Sequence, residues 1–207
     1  MGICYNNFEV NMKEIIFVTS NPGKVQSAQK HIAQNISLKI YEYDIDEPEV
    51  NDIEYIAEYK VRQAFEKVKK PCLSLDAGFY IPNFPGKPNF PGAFPKRELL
   101  YKFGIEGLLE RMKDVKDREC YFKECLAYYD GKEVKKFFAF VRGNLSTEIR
   151  GRDTKQKWSD LWYVFIPQNC TKTMAEMTED ERAHRNDGYV SPFDLFNEWF
   201  DNEKDIL

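Results

Sequence analysis

Four residues in the first part of the chain have the types and settings needed to hold a phosphate chain: Lys24, Lys60, Asp76 and Glu49. Lys24 follows Thr19-Ser20-Asn21-Pro22-Gly23, in which Asn21 suits a helix cap and Pro22 the first helical position. A helix starting there presents unpaired N–H groups and the positive end of its dipole, a setting that attracts phosphate. A cation in that first turn is unfavourable by itself, and a bound anion reverses the sign; the plainer reading is a solvated surface lysine. Lys60 projects from the apolar stripe of the next helix, where an ammonium either snorkels to water or meets an anion. Asp76 ends a short apolar strand, the end at which α/β folds commonly place ligand sites, although Asp76-Ala77-Gly78 is also an ordinary turn. Glu49 lies in a loop with Asp44, Asp46, Glu47 and Asp52, and is either solvated or a hard oxygen ligand for Mg2+.

Two lysines for phosphate oxygens, two carboxylates for a metal and a helix terminus facing an anion suit nucleoside triphosphate chemistry. There, positioning and charge neutralisation supply most of the catalysis. The chain has no Walker-type glycine loop ending in Gly-Lys-Ser/Thr, so a P-loop enzyme is not indicated. It shows no Ser-His-Asp or Cys-His signature either.

The elements that must position these residues follow from periodicity. The apolar run 14–18 predicts a buried strand and 37–43 a second one. Apolar residues at 53, 56, 57, 61, 64, 65 and 68 predict the clearest helix in the chain. Residues 72–75 predict a strand ended by Asp76-Ala77-Gly78, and the tetrapeptide Asn-Phe-Pro-Gly then occurs twice, at 83–86 and 89–92, in a turn-rich loop. A helix is expected over 96–112, broken at Gly104. Asp130-Gly131 between the runs 119–129 and 134–141 is a strong hairpin signal. A strand over 162–166 and a helix over 192–200 complete a mixed α/β chain. We expect a single domain over 12–207 after a dispensable extension at 1–11.

Composition sets bounds on function. With 30 basic and 34 acidic residues, the net charge of −4 argues against broad nucleic-acid binding. The five cysteines, Cys4, Cys72, Cys120, Cys125 and Cys170, form no Cys-x-x-Cys pair, which points to reduced thiols in a cytoplasmic protein rather than zinc. With two histidines, His31 and His184, a His-rich metal site is excluded. No apolar stretch approaches the roughly 18 residues of a membrane span.

Taken in order, these motifs resemble the inosine triphosphate pyrophosphatase (Ham1-like) family. Thr19-Ser20-Asn21-Pro22-Gly23-Lys24 is similar to its Ser/Thr-x-Asn-x-x-Lys phosphate loop. Asp46-Glu47-Pro48-Glu49 and Ala57-Glu58-Tyr59-Lys60-Val61 resemble its metal-binding glutamate and helix lysine. Leu75-Asp76-Ala77-Gly78 resembles its catalytic turn, Phe90-Pro91-Gly92 its Pro-Gly loop, and Thr173-Met174-Ala175-Glu176-Met177 its Thr-x-Ala-Glu-Met segment. The resemblance implies a two-lobed mixed sheet flanked by helices with a long β-hairpin, usually a homodimer, that uses Mg2+ to hydrolyse inosine and xanthosine triphosphates and their deoxy forms to monophosphate and pyrophosphate. Carried over, Thr19, Asn21, Lys24 and Lys60 would hold the triphosphate, Glu49 and Asp76 would bind Mg2+, and Asp76 with Lys60 would be catalytic.

The departures lie on the base side and beside the catalytic turn. Leu75 stands where the family carries a first turn carboxylate. Ser159-Asp160-Leu161-Trp162-Tyr163 replaces a Phe-Gly-Tyr/Trp-Asp-Pro segment. The Ser-His-Arg triplet that reads the purine 6-oxo edge has no match near Asn186-Asp187-Gly188, so His184 and Arg185 are the expected substitutes, with Trp162 stacking on the base. Leu75 and the altered base side leave an alternative open: a nucleotide-binding sensor of low turnover that signals to an effector protein.

Overall fold

In a computed structural model of the chain, residues 12–43, 45, 47–154, 157, 159–185 and 188–204 are described. Asp44, Asp46, Asn186, Asp187 and the extension over 1–11, all named in the sequence reading, lie outside the described residues.

The β-branched run after Met12 forms β1 (Lys13–Val18), buried from Ile15 onward because both its faces are covered. Asn21 caps α1 (Pro22–His31), its side chain accepting from the N–H groups of Gly23 and Lys24. The chain returns in β2 (Ile36–Tyr41), parallel to β1. Asp52 caps α2 (Ile53–Val68), whose stripe Ile53, Ile56, Ala57, Val61 and Ala64 is buried. Next come β3 (Cys72–Ile81), β4 (Phe90–Gly92), a π-helical turn at Pro95–Leu100 and α3 (Gly104–Arg111). The long hairpin is β5 (Glu119–Tyr129) and β6 (Val134–Leu145). A 3-10 turn (Asp160–Tyr163), β7 (Phe165–Pro167), α4 (Glu179–Ala183) and α5 (Pro192–Lys204) complete the described chain.

The strands form one mixed seven-stranded sheet in the order β2-β1-β3-β5-β6-β7, with β4 also on β3. One face packs Phe17, Leu73, Leu75 and Leu126 against Ala28 of α1 and Phe193 and Phe196 of α5. The opposite face packs Ile16, Val18, Cys72 and Cys125 against Ile53, Ala57 and Val61 of α2. A third cluster joins Phe79, Leu108, Phe165 and Met174 where the hairpin extends past the helices.

Two expectations are corrected. The strand predicted to stop before Asp76 runs on to Ile81, because β5 pairs with it from Cys72 to Tyr80 and β4 joins at Phe79–Ile81. Gly78 permits that approach: a Cβ there would lie 2.8 Å from the Gly92 carbonyl oxygen. Residues 162 and 163, predicted to begin a strand, instead end a 3-10 turn over Asp160–Tyr163, which the Ser159 side chain caps by accepting from Leu161 N–H. A short helix not foreseen, α4, starts on a capping box between Thr178 and Glu181.

Phe193 is fully buried and meets Phe17 edge-on, with ring centroids 5.6 Å apart. Phe193→Ala should cost about 3–5 kcal/mol, the usual range for emptying a core aromatic site. Urea unfolding of the variant checks this, and a loss below about 1 kcal/mol would mean that α5 does not anchor the sheet.

Candidate functional site

The site grows from a gap beside β3. On one side this strand pairs without interruption with β5. On the other side β1 pairs only at Cys72 and Leu73, and β4 only from Phe79 onward. Residues 74–78 are flanked there by neither strand, so their polar groups on that side need other partners. Lys24 supplies one: its Nζ donates to the Leu75 carbonyl oxygen at 2.6 Å. The same ammonium lies 3.5 Å from Asp76 Oδ1.

Side-chain alternation along β3 turns Ser74 and Asp76 toward α2 and Leu75 toward α1 and α5. Ser74 is fully buried and donates to the Ala57 carbonyl oxygen at 2.7 Å, fastening α2 to the strand. One turn further along α2, Lys60 then reaches Asp76 Oδ1 at 3.2 Å and Glu47 Oε1 at 2.9 Å. Burial pulls the Lys60 ammonium pKa down, but Asp76 and Glu47 outweigh it and hold the group above its ordinary value. Lys60 therefore stays charged. Asp76 is 7% exposed, and its Oδ2 is buried with no hydrogen-bond partner among the described residues. Such an oxygen is costly to leave empty-handed, and a cation or a water is its natural complement.

The sequence-predicted residues fall into two groups. Asp76, Lys24 and Lys60 come together, and Thr19 and Asn21 shape the turn that delivers Lys24. Thr19 Oγ1 accepts from Asn21 N–H at 3.1 Å, and Asn21 Oδ1 accepts from Gly23 N–H at 2.9 Å. Glu49 is outside this cluster, its side chain 80% exposed and paired with Arg97 at 2.9 Å. Glu47, two residues earlier, is the loop carboxylate beside Lys60. No group of three His, Cys, Asp or Glu side chains among the described residues could hold a metal alone. Asp76 with one loop carboxylate fits Mg2+ all the same, since that ion is usually bound through one or two carboxylates plus substrate oxygens and water.

Of the residues expected near the base, Trp162 is half-buried in the 3-10 turn, with the Arg182 guanidinium 5.1 Å from its ring centroid. His184 is exposed and pairs with Asp180 at 3.1 Å, at the end of α4. Arg185 donates to the Arg182 carbonyl oxygen at 2.8 Å and lies 5.2 Å from the Tyr189 ring centroid.

Sequence reasoning missed Glu124. It stands opposite Ala77 in the β3–β5 register and so shares the face of Leu126 and Tyr128, which pack toward α1 and α5, while Cys120 and Phe122 of the same row join the cluster around Phe79 and Phe165. A lone charge in an alternating apolar row was the available signal. Tyr189 Oη donates to Glu124 Oε2 at 2.9 Å. Burial pushes the Glu124 carboxyl up from its ordinary value, against the Tyr189 hydrogen bond and the positive fields of Lys24, Arg185 and His31.

Comparison with known proteins agrees with this architecture. The model of the Ham1 family matches residues 15–187. The dITP/XTP pyrophosphatase of Thermococcus kodakarensis is 33% identical over 177 residues, 83% of this chain and 90% of the relative. The dITP/XTP pyrophosphatase of Pyrococcus horikoshii is 31% identical over the same shares. Among solved structures, the Staphylococcus aureus Ham1 protein superposes with a TM-score of 0.74 at 18% identity, covering 92% of this chain and all of that one. A HAM1 protein from Coxiella burnetii gives 0.73 at 20% identity.

A carboxyl whose pKa is raised by folding binds its proton more tightly in the folded state, so folding loses stability as pH rises through the gap between the two values. Glu124→Gln removes that cost and keeps an oxygen for Tyr189. The variant should be more stable than wild type at pH 7, and the difference should vanish as pH falls below 4.5, the ordinary value. Denaturant titrations at both ends of the range check the sign. A variant less stable at pH 7 would show that the carboxylate charge itself holds the fold.

Proposed function

Because the chain belongs to the Ham1 family, we propose that it is a Mg2+-dependent nucleoside triphosphate pyrophosphatase. Its substrates are non-canonical purine nucleotides such as dITP, ITP and XTP, and its products the monophosphate and pyrophosphate. The observation that carries this reading is Asp76, with one buried carboxylate oxygen unpartnered among the described residues and the other shared by two lysines in a gap of the sheet. The names of the archaeal relatives support the choice of substrate.

Each residue has a task in this reading. Lys24 and Lys60 exchange Asp76 Oδ1 for phosphate oxygens, and Thr19 and Asn21 hold the turn that aims Lys24. Before any substrate binds, the two ammonium groups are balanced by Asp76 and Glu47. The charge of a triphosphate therefore calls for a further cation, which Asp76 would hold together with Glu47 or Glu49. When bound, Mg2+ neutralises charge on the phosphates and on the leaving pyrophosphate. Asp76 orients a water against the α-phosphorus and takes its proton as the bond to the bridging oxygen breaks. The new P–O bond stays with the monophosphate, and pyrophosphate leaves with the bonding pair. Trp162 supplies a ring for the base. Cytoplasmic location and a homodimer belong to the same reading.

Asp76→Asn removes charge from the centre of this reaction. Pyrophosphate release should fall at least a hundredfold, about 2.7 kcal/mol, while triphosphate binding persists through the lysines. Lys60→Ala should weaken that binding by about 1.5–3 kcal/mol, the range for a charged hydrogen bond. Steady-state release and equilibrium binding of ITP separate the two effects. Undiminished turnover in Asp76→Asn would sink the site.

A further inference from the structure

We infer that Glu124 is a specificity-determining residue, the acceptor that recognises the N1–H of a 6-oxopurine; this rests on the proposed reading of the site. Glu124 is carried by β5 on the face of the sheet opposite Asp76, directly across from Ala77. It is therefore not part of the cluster that holds Lys60. Tyr189, from the segment before α5, bonds Glu124 directly, and Lys24 and His31 of α1 and Arg185 stand close enough to act on its charge. His31 is itself paired with Asp194 at 3.1 Å.

The chemistry selects which end of a nucleotide faces this carboxylate. A carboxyl offers phosphate oxygens no positive charge, so the triphosphate lies on the side of the Lys24 and Lys60 ammonium groups and a neutral part of the substrate meets Glu124. Arg185, Tyr189 and Glu124 form a chain: the guanidinium stands 5.2 Å from the tyrosine ring centroid, and the tyrosine hydroxyl donates to Glu124 Oε2. This sets a donor-only group and an acceptor near each other. The 6-oxo oxygen and N1–H of hypoxanthine, xanthine or guanine present the complementary acceptor and donor side by side. Adenine offers the reverse, an amino donor and an N1 acceptor, and its N1 lone pair would face the carboxylate. Unmatched buried polar groups are what make such discrimination large.

The experiment compares kcat/KM for ITP, dITP, XTP, GTP and ATP in wild type, Glu124→Ala and Glu124→Gln. In Glu124→Ala the values for the 6-oxopurine nucleotides should fall roughly ten- to a hundredfold, the effect of one hydrogen bond to a charged group. The value for ATP should hold or rise, so the ITP-to-ATP ratio collapses. Glu124→Gln keeps an oxygen acceptor and should restore part of that ratio. An equal fall for all five nucleotides would make Glu124 merely structural and overturn the assignment. A change in the ITP-to-dITP ratio, with ITP-to-ATP unchanged, would move the carboxylate to the sugar and overturn it too. If wild type turns over none of the five, the pyrophosphatase reading fails by itself. The ratio of ITP and ATP dissociation constants, wild type against Glu124→Ala, then still decides the role of Glu124: a lower ratio of preference supports it and an unchanged one overturns it.

Discussion

Two ammonium groups on one carboxylate oxygen are the contact around which this chain is organised. Asp76 would be costly to bury alone, because a lone ionised carboxylate loses far more hydration than the protein interior returns. Lys24 and Lys60 offset that loss, and each arrives from a different helix on a different face of the sheet. Lys24 can reach through only because β1 has already left β3 and β4 has not yet joined it. Lys60 is in register only because Ser74 bonds the Ala57 carbonyl one turn earlier. A slip of β3 by one residue would turn Asp76 into the aromatic layer under α5 and put Leu75 or Ala77 before the lysines. The gap, the buried serine and the two helices thus hold one carboxylate in one place.

The same strand divides the crevice into two chemically unlike sides. Toward α2 lie Asp76, Lys60 and Glu47, a cluster whose charges balance once Lys24 is counted and that is suited to an anion accompanied by a cation. Toward α1 and α5 lie Leu75, Leu126 and Glu124, an apolar surface with one half-buried acid. Lys24 crosses between them. A nucleotide has this polarity too, a strongly charged chain at one end and a flat, weakly polar base at the other. The proposed orientation follows from that match alone.

How much of this was legible depended on whether a residue's role is local. The cap at Asn21, the α2 stripe and the hairpin at Asp130-Gly131 are written in neighbouring residues, and they appear where expected. The grouping of Lys24, Lys60 and Asp76 was legible as a set because helix phase and strand alternation fix where such side chains emerge, although Asp76 lies within β3 and not at its end. The continuation of β3 through Asp76 was not, since it depends on β5 pairing about fifty residues away, which no local propensity reports. Nor was the choice between Glu47 and Glu49. Both face the solvent side of one loop, and only the reach of Lys60 separates them. His184 was expected near the base by its type, yet α4 ends at that point and its ring turns back to Asp180. Glu124 escaped notice because a single acid in a strand is normally a solvated one, and its burial comes from α1 and the segment before α5.

Leu75 shows how closely the apolar side of β3 is packed. It is 6% exposed and belongs to the same packed layer as Leu73, Leu126 and Phe193. A carboxylate at this position would have to be desolvated among those side chains or would open the layer to water. The surroundings of residue 75 are apolar and suit the leucine. Diagonally across the same face, two residues from Leu126, Glu124 brings an acid back to this side of the sheet, at a spacing that long side chains can bridge. The two strands thus carry one acid on each face, Asp76 on β3 toward α2 and Glu124 on β5 toward α1 and α5. Its partner Tyr189 sits just before α5, so the acid is fastened to the closing segment while it lies in the field of Lys24. Asp76 is then the one acid that β3 itself carries, and the acid on the opposite face stands on the neighbouring strand.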